Sequence, residues 1–417
     1  MRNTHVVWLS AAALPLLAAT AVAQTKGPAP SGPPPVVAPA GAPTAPAAAP
    51  KGPTAVSYEE ALLSAANNLL SKAVLPPGDK KLQVVIDPLI DGQTGHVSPT
   101  TQRIGRRITD LIKTNYPRLE VVAFTPENVA KKPLLLIGTF TAINLAGKAD
   151  APKDAYRLCL ALGDLNTGKL VSKGVGFMKA EQISVAPTPS FADAPVWTKD
   201  KSIEGYVKTC QGTKVDDPIN AAYVDRIATA AMIADAMAAY DAKRWPDSLK
   251  RFQAALAAPG GDQLRVHNGI YLANWKLGRK KEAAEAFAKV IDHGLTTDRL
   301  AVLYLFRPGS TSWAAVKGGL PPYAMWTDQI AKRTEAKKAC LEIVGHSSRS
   351  GNEDMNVRLS GRRADLIRDR LVRVIPALNT RVIASGVGSK EAVVGTMPDS
   401  AANNIDRRVE FKVAKCS

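Results

Sequence analysis

Residues 345–364 read Gly345-His-Ser-Ser-Arg-Ser-Gly351, then Asn352-Glu-Asp-Met-Asn356-Val-Arg-Leu-Ser-Gly-Arg-Arg-Ala364. Before this stretch, Leu341-Glu-Ile-Val344 is an apolar run that predicts a short buried strand leading into Gly345 and His346. Asn352 is an N-cap candidate, because an Asn side chain accepts bonds from the unpaired N–H groups at a helix start. The helix predicted beyond it carries Asn356, Leu359 and Arg363 at intervals of three and four residues, hence on one face. Working outward, Leu303-Tyr-Leu-Phe306 with Pro308-Gly-Ser310 predicts a strand and turn, and Tyr323 to Lys337 a helix. Asp406-Arg-Arg-Val-Glu-Phe411 predicts a closing strand with Val409 and Phe411 in the core, so one domain is expected over 299–417.

The stretch resembles the peptidoglycan-binding signature of the OmpA-like family, G-H-T-D-x-x-G followed by N-x-x-L-S-x-x-R-A, in both halves and at the family spacing. The resemblance implies a βαβαβ sandwich that holds the peptidoglycan stem peptide, whose diaminopimelate carries a carboxylate and an amine close together. It carries over Asn356 and Leu359, and it puts Arg363 where the family has its carboxylate-binding arginine. A guanidinium suits that task because it can give a carboxylate two parallel hydrogen bonds. The closing segment is similar to the family's terminal N-R-R-V-E-F, with Asp406 in place of Asn, and Arg407 then borders the ligand site. Ser348 stands where the family's aspartate faces the ligand amine. A hydroxyl accepts a hydrogen bond from an ammonium but supplies no opposite charge, so affinity for diaminopimelate is expected to fall or specificity to change. Glu353 and Asp354 are the nearest acids, yet a helix start favours acids for its dipole alone. His346 has no second His or Cys at metal spacing and reads as a strand-end packing residue, so neither metal nor cofactor is expected.

Compartment follows from the other end of the chain. Arg2, the apolar run Val6 to Val22 and the small residues Ala21-Val-Ala23 predict a secretory signal peptide over 1–23. No cysteine lies near the expected cleavage site to carry a lipid, and no transmembrane segment is expected in the mature chain. Residues 24–55 are almost entirely Pro, Ala, Gly and Val, the composition of an extended disordered linker. The formal charge of +17 favours acidic partners. In an exported chain these are wall carboxylates and anionic lipid rather than nucleic acid, which places the protein in the periplasm, beside the cell wall and near the outer membrane. From 301 to 417 there are 19 Lys and Arg against 11 Asp and Glu, so the presumptive wall-binding end holds much of the excess. Four cysteines in an oxidising compartment suggest two disulfides. Three connectivities are possible, with pairing inside each half expected: Cys159 with Cys210 and Cys340 with Cys416.

The front half alternates a helix (Tyr58 to Val74), a strand (Leu82 to Asp87), a helix (Thr100 to Lys113) and four further strand-like runs. The last two runs flank Asp164-Leu-Asn-Thr-Gly168, a tight-turn signal. This order predicts an α/β (α+β) sheet domain over 56–215. In strand order and in Ile137-Gly138-Thr139 it resembles the periplasmic domains of penicillin-binding-protein activator lipoproteins and related curli and flagellar secretion proteins, although it lacks their lipid-attachment cysteine. Between 219 and 297, Phe252 and Phe287, Tyr240 and Trp275, and Ser248 and Ala283 recur at an offset of 35, and Trp275-Lys-Leu-Gly278 is similar to the tetratricopeptide pattern. No G-x-S-x-G, P-loop or H-E-x-x-H motif occurs, and His96 is a lone loop histidine. The expected protein is therefore a noncatalytic periplasmic multidomain chain that binds peptidoglycan and scaffolds an envelope protein partner. Two alternatives stay open: a wall-remodelling enzyme localised by its tail, and an adaptor whose tail no longer binds the wall.

Overall fold

The computed structural model describes residues 53–417, apart from 149–150, 152, 182, 197–198, 299, 315–320, 394–400 and 417. The expected signal peptide over 1–23 and nearly all of the expected linker lie outside the described residues.

The front sheet is built from β1 (Leu82–Ile86), β2 (Ile90–Asp91), β3 (Leu119–Val122), β4 (Leu134–Ile143), β5 (Ala155–Asp164) and β6 (Lys169–Lys179), in the order β3-β1-β4-β5-β6 with β2 also on β4. β1 runs parallel to both β3 and β4, whereas β4, β5 and β6 form an antiparallel meander. β4 is buried along nearly its whole length because helices cover both faces, which is why it reads as an unbroken apolar run. On one face lie α1 (Tyr58–Ser71) and α2 (Pro99–Asn115), the latter started by a reciprocal Ser98–Thr101 capping box. On the other lie α3 (Pro126–Ala130), α5 (Lys201–Gln211) and α6 (Ala221–Val224), reached after the short α4 (Pro189–Ala192).

Next come α7 (Ile227–Asp241), α8 (Trp245–Ala257), α9 (Leu264–Lys276) and α10 (Lys280–Thr296), each packed on the one before. The 35-residue offset is visible in the backbone itself. Lys243 N–H donates to Tyr240 O (2.8 Å) and Arg244 N–H to Ala239 O (2.9 Å), and Gly278 and Arg279 make the same two bonds to Trp275 O (3.1 Å) and Asn274 O (3.0 Å). Both turns pass through left-handed backbone, with φ of 60° at Lys243 and 72° at Gly278, where glycine fits without strain. So short an array needs cover for its open end. Here α11 (Tyr323–Ala336) provides it: Trp326 Nε1 donates to Tyr271 OH (2.8 Å), and Arg333 grips Asp292 with two bonds of 2.7 and 2.5 Å.

The C-terminal sheet has the order β7-β10-β8-β9, with β7 (Tyr304–Leu305), β8 (Cys340–Gly345), β9 (Val382–Gly386) and β10 (Arg408–Ala414). β8 and β9 are parallel and β10 is antiparallel to β8 and β7. The helices α11 and α12 (Glu353–Val374) complete a mixed α/β layer, and its core runs on into α9 and α10 through Tyr271, Phe287, Tyr304 and Trp326. Two details differ from the sequence reading. β7 contributes only two ladder residues, and β9 adds a strand to the expected βαβαβ order, since Val382-Ile-Ala-Ser-Gly386 is too short and small to announce itself.

Cys340 and Cys416 are joined, linking the first residue of β8 to the chain just past β10. Cys159 and Cys210, expected to form a second bridge, are free thiols in this structure. They meet where α5 crosses β5, with sulfurs 2.8 Å apart, and each thiol donates to the other's backbone carbonyl (2.6 and 3.0 Å). Both therefore behave as small buried groups with local partners. Quantifying thiols in the unfolded, unreduced chain should give two per molecule. Because the Cys340–Cys416 bond closes a separation of 76 residues, Cys340→Ser with Cys416→Ser should lower stability in denaturant titration by roughly 2–4 kcal/mol.

Candidate functional site

At the end of β8 the chain turns through 346–351 into α12. A Cβ on Gly345 would overlap the carbonyl oxygen of Ser360, so the helix crosses the strand end at backbone contact. Asn352 caps α12, its side chain accepting from Asp354 N–H (2.9 Å) and Met355 N–H (3.3 Å). Asn356 then reaches back, donating to Ser350 O (3.1 Å) and Ser348 O (3.4 Å) and so fixing the turn against the helix. Ser348 Oγ lies 3.0 Å from Ser350 Oγ and 3.5 Å from Arg407 Nη1. A cleft of about 490 Å³ opens between turn and helix, and Ser348, Asn356, Leu359, Arg363 and Arg407 all line it.

Arg363 is fully buried. Its Nε donates to Ser310 O (2.9 Å), Nη2 to Arg307 O (2.9 Å) and Nη1 to His346 O (3.3 Å), with the guanidinium 5.1 Å from the Phe306 ring centroid. Among the described residues these bonds use three of its five N–H groups, one on each of its three nitrogens. Burial and the neighbouring Arg407 guanidinium push its pKa down to about 10. An anion settling between the two arginines would relieve that repulsion. Arg407 is itself buried and donates to Asn404 Oδ1.

The electrostatics of the cleft are one-sided. Arg358, Arg362, Arg363 and Arg407 line it, and among the described lining residues there is no Asp or Glu. Glu353 accepts instead from Ser389 N–H (2.9 Å) and Ser389 Oγ (2.5 Å), which turns it toward the segment after β9. Asp354 is exposed in the first turn of α12 and does not line the cleft either. His346 is buried at the strand end, and burial together with Arg408 and Lys412 pushes its ring down to about 2, so it stays neutral. Its backbone oxygen, rather than its ring, serves Arg363. Sequence reasoning missed Arg358 and Arg362; the signal was present, since Met355, Leu359, Arg362 and Arg363 follow the i, i+4, i+7, i+8 spacing of one helical face.

The front half holds titratable groups in a separate cavity of about 140 Å³. Asp87 follows β1, where the order reverses between β3 and β4, a place where α/β sheets often open a crevice. Burial pushes its carboxyl up to about 6, and Tyr223 OH donates to Oδ2 at 2.6 Å. Asp241, also raised chiefly by burial, accepts from Ser190 N–H at 2.7 Å. His96 is not among this cavity's lining residues, and its ring nitrogens contact Thr94 Oγ1 (2.5 Å) and Val185 O (3.0 Å).

No protein-family model matches the chain, and no curated protein does. Several solved structures are similar to part of it. The peptidoglycan-associated lipoprotein from Burkholderia pseudomallei is 18% identical with a TM-score of 0.23, covering 27% of this chain and 89% of that one. The cell wall anchor of the T6SS from Pseudomonas aeruginosa is 21% identical with a TM-score of 0.24, covering 30% and 95%. An outer membrane protein from Borrelia burgdorferi B31 is 26% identical with a TM-score of 0.21, covering 28% and 87%. The chain's own residues carry the functional reading that follows.

Arg363→Ala should cost about 3 kcal/mol or more, because it strands three carbonyls and opens a cavity beside Phe306. Arg363→Lys, which keeps the charge but not the fork, should lose less, and thermal melts of the two variants compare them directly. Asp87 gives a pH signature. Its folded pKa of about 6 lies above the ordinary aspartate value of 3.8, so the folded state binds the extra proton between those values. The contribution of Asp87 to stability is then fully present below about pH 4 and is lost as pH rises through 6, by on the order of 2–3 kcal/mol. Asp87→Asn should therefore melt higher than the native protein at pH 8 and alike at pH 4.

Proposed function

We propose that this is a noncatalytic periplasmic protein that binds peptidoglycan through the cleft between residues 346–351 and α12. The observation that carries the reading is the convergence of Ser348, Asn356, Leu359, Arg363 and Arg407 on one cleft whose charged lining, among the described residues, is all arginine. Buried guanidiniums held by backbone carbonyls are oriented before a ligand arrives, and a carboxylate is the group they suit best. Stem peptides supply such carboxylates. With Ser348 in place of an acid and Glu353 turned to Ser389, the described lining residues offer an ammonium hydroxyl, amide and carbonyl oxygens but no carboxylate. Recognition then rests on the stem-peptide carboxylate, with a reduced share for the diaminopimelate amine. In this reading the front sheet and helical segment present a surface to an envelope partner, and the protein works close to the outer membrane. No helix among the described residues is long and apolar enough to cross a membrane.

Cosedimentation of the full chain with isolated sacculi tests the proposal. The native protein should pellet with the wall and be released as salt rises, because the contact is between charges. Arg362→Gln, a cleft change at an exposed position, should weaken binding about tenfold while leaving the melting temperature unchanged. Ser348→Asp should strengthen it. If the native protein stays in solution and only Ser348→Asp pellets, the chain is an adaptor that has lost the ligand.

A further inference from the structure

The helical segment brings together three groups that lie far apart from any recognisable sequence motif. Asp262 sits in the connection between α8 and α9, His267 in the first turns of α9, and His293 in the last turn of α10. Asp262 Oδ1 is 2.6 Å from His267 Nε2 and 3.7 Å from His293 Nδ1, and the three ligand atoms all lie within 4.8 Å of one another. The two imidazole rings are 5.8 Å apart, centroid to centroid.

We infer that Asp262, His267 and His293 form a binding site for a divalent transition ion of the zinc and copper type. Two imidazoles and one carboxylate are a donor set these ions favour, and it leaves at least one coordination position open. The size fits. With metal–ligand bonds of about 2.1 Å, neighbouring donors in a tetrahedron stand roughly 3.4 Å apart. The observed 2.6 and 3.7 Å bracket that spacing, and no pair of the three donors is more than 4.8 Å apart.

A hydrogen bond alone serves only part of this cluster. The Asp262 oxygen engages His267, while His293 Nδ1, at 3.7 Å, is beyond hydrogen-bond reach of the same oxygen. A cation would engage all three donors at once. Their protonation suits it too: the bond from His267 holds the Asp262 carboxyl below its usual range, and burial holds the His293 ring below its own. His293 also sits at the negative end of the α10 dipole, where a cation is favoured. Both histidines ride on packed helices and are mostly covered, with side chains 14% and 20% exposed, whereas Asp262 is 78% exposed and marks the entry side.

The test is calorimetric titration of the full chain, stripped of metal by a chelator, with zinc chloride at pH 7.5. One equivalent should bind with a dissociation constant near or below about 10 µM. His267→Ala and His293→Ala should each weaken it about tenfold or more. His267→Gln, which keeps a polar side chain at a mostly covered position, guards against a folding defect in His267→Ala. X-ray absorption of the loaded protein should report two imidazole nitrogens and a carboxylate oxygen. Absence of binding at 100 µM free zinc, or one equivalent retained unchanged in both His267 variants, would overturn the assignment.

Discussion

The buried guanidinium of Arg363 ties together three segments that the sheet order β7-β10-β8 and the packing of α12 on β8 bring close. It holds the carbonyls of Arg307 and Ser310, which follow β7, and that of His346, which ends β8, while its own backbone belongs to α12. Burying a charge is tolerable only when hydrogen bonds replace the lost water, and here, among the described residues, backbone oxygens do so. The consequence is a rigid floor with unspent positive charge. The contact of α12 with the Gly345 backbone, the Asn352 cap and the Asn356 bonds to the turn all keep that floor in place.

A cleft of this kind has a chemical bias. Arg363 and Arg407 oppose each other, and the acids nearest in sequence are directed elsewhere. Among the described residues the lining is therefore electropositive, and salt screens the exposed outer arginines more than the buried pair. Arg363 is thus both a packing residue and part of the cleft wall, whereas Arg362 lines the same cleft from an exposed position.

The middle of the molecule shows how a short helical array is stabilised. Two pairs of helices leave an apolar face uncovered, and α11 lies over it, with Trp326 bonded to Tyr271 and Arg333 to Asp292. Helical segment and C-terminal sheet consequently share one hydrophobic core rather than two.

Local periodicity and turn chemistry were enough to place most elements. The capped helix after Asn352, the hairpin at Gly168 and the 35-residue spacing of Phe252 and Phe287 are all short-range signals, and each one appears in the backbone. The sequence by itself also determined which residue types are available to the cleft, including the serine at 348. Only the tertiary structure decided where charge ends up. Glu353 turns away because Ser389, 36 residues on in the segment after β9, offers it two hydrogen bonds, a long-range geometry that no local pattern encodes. For the same reason the sequence could not show that Cys159 and Cys210 meet as thiols beneath α5, or that Asp262, His267 and His293 converge. Spacing along a chain fixes neighbours within an element, whereas packing between elements fixes which side chains share solvent, charge and ligand.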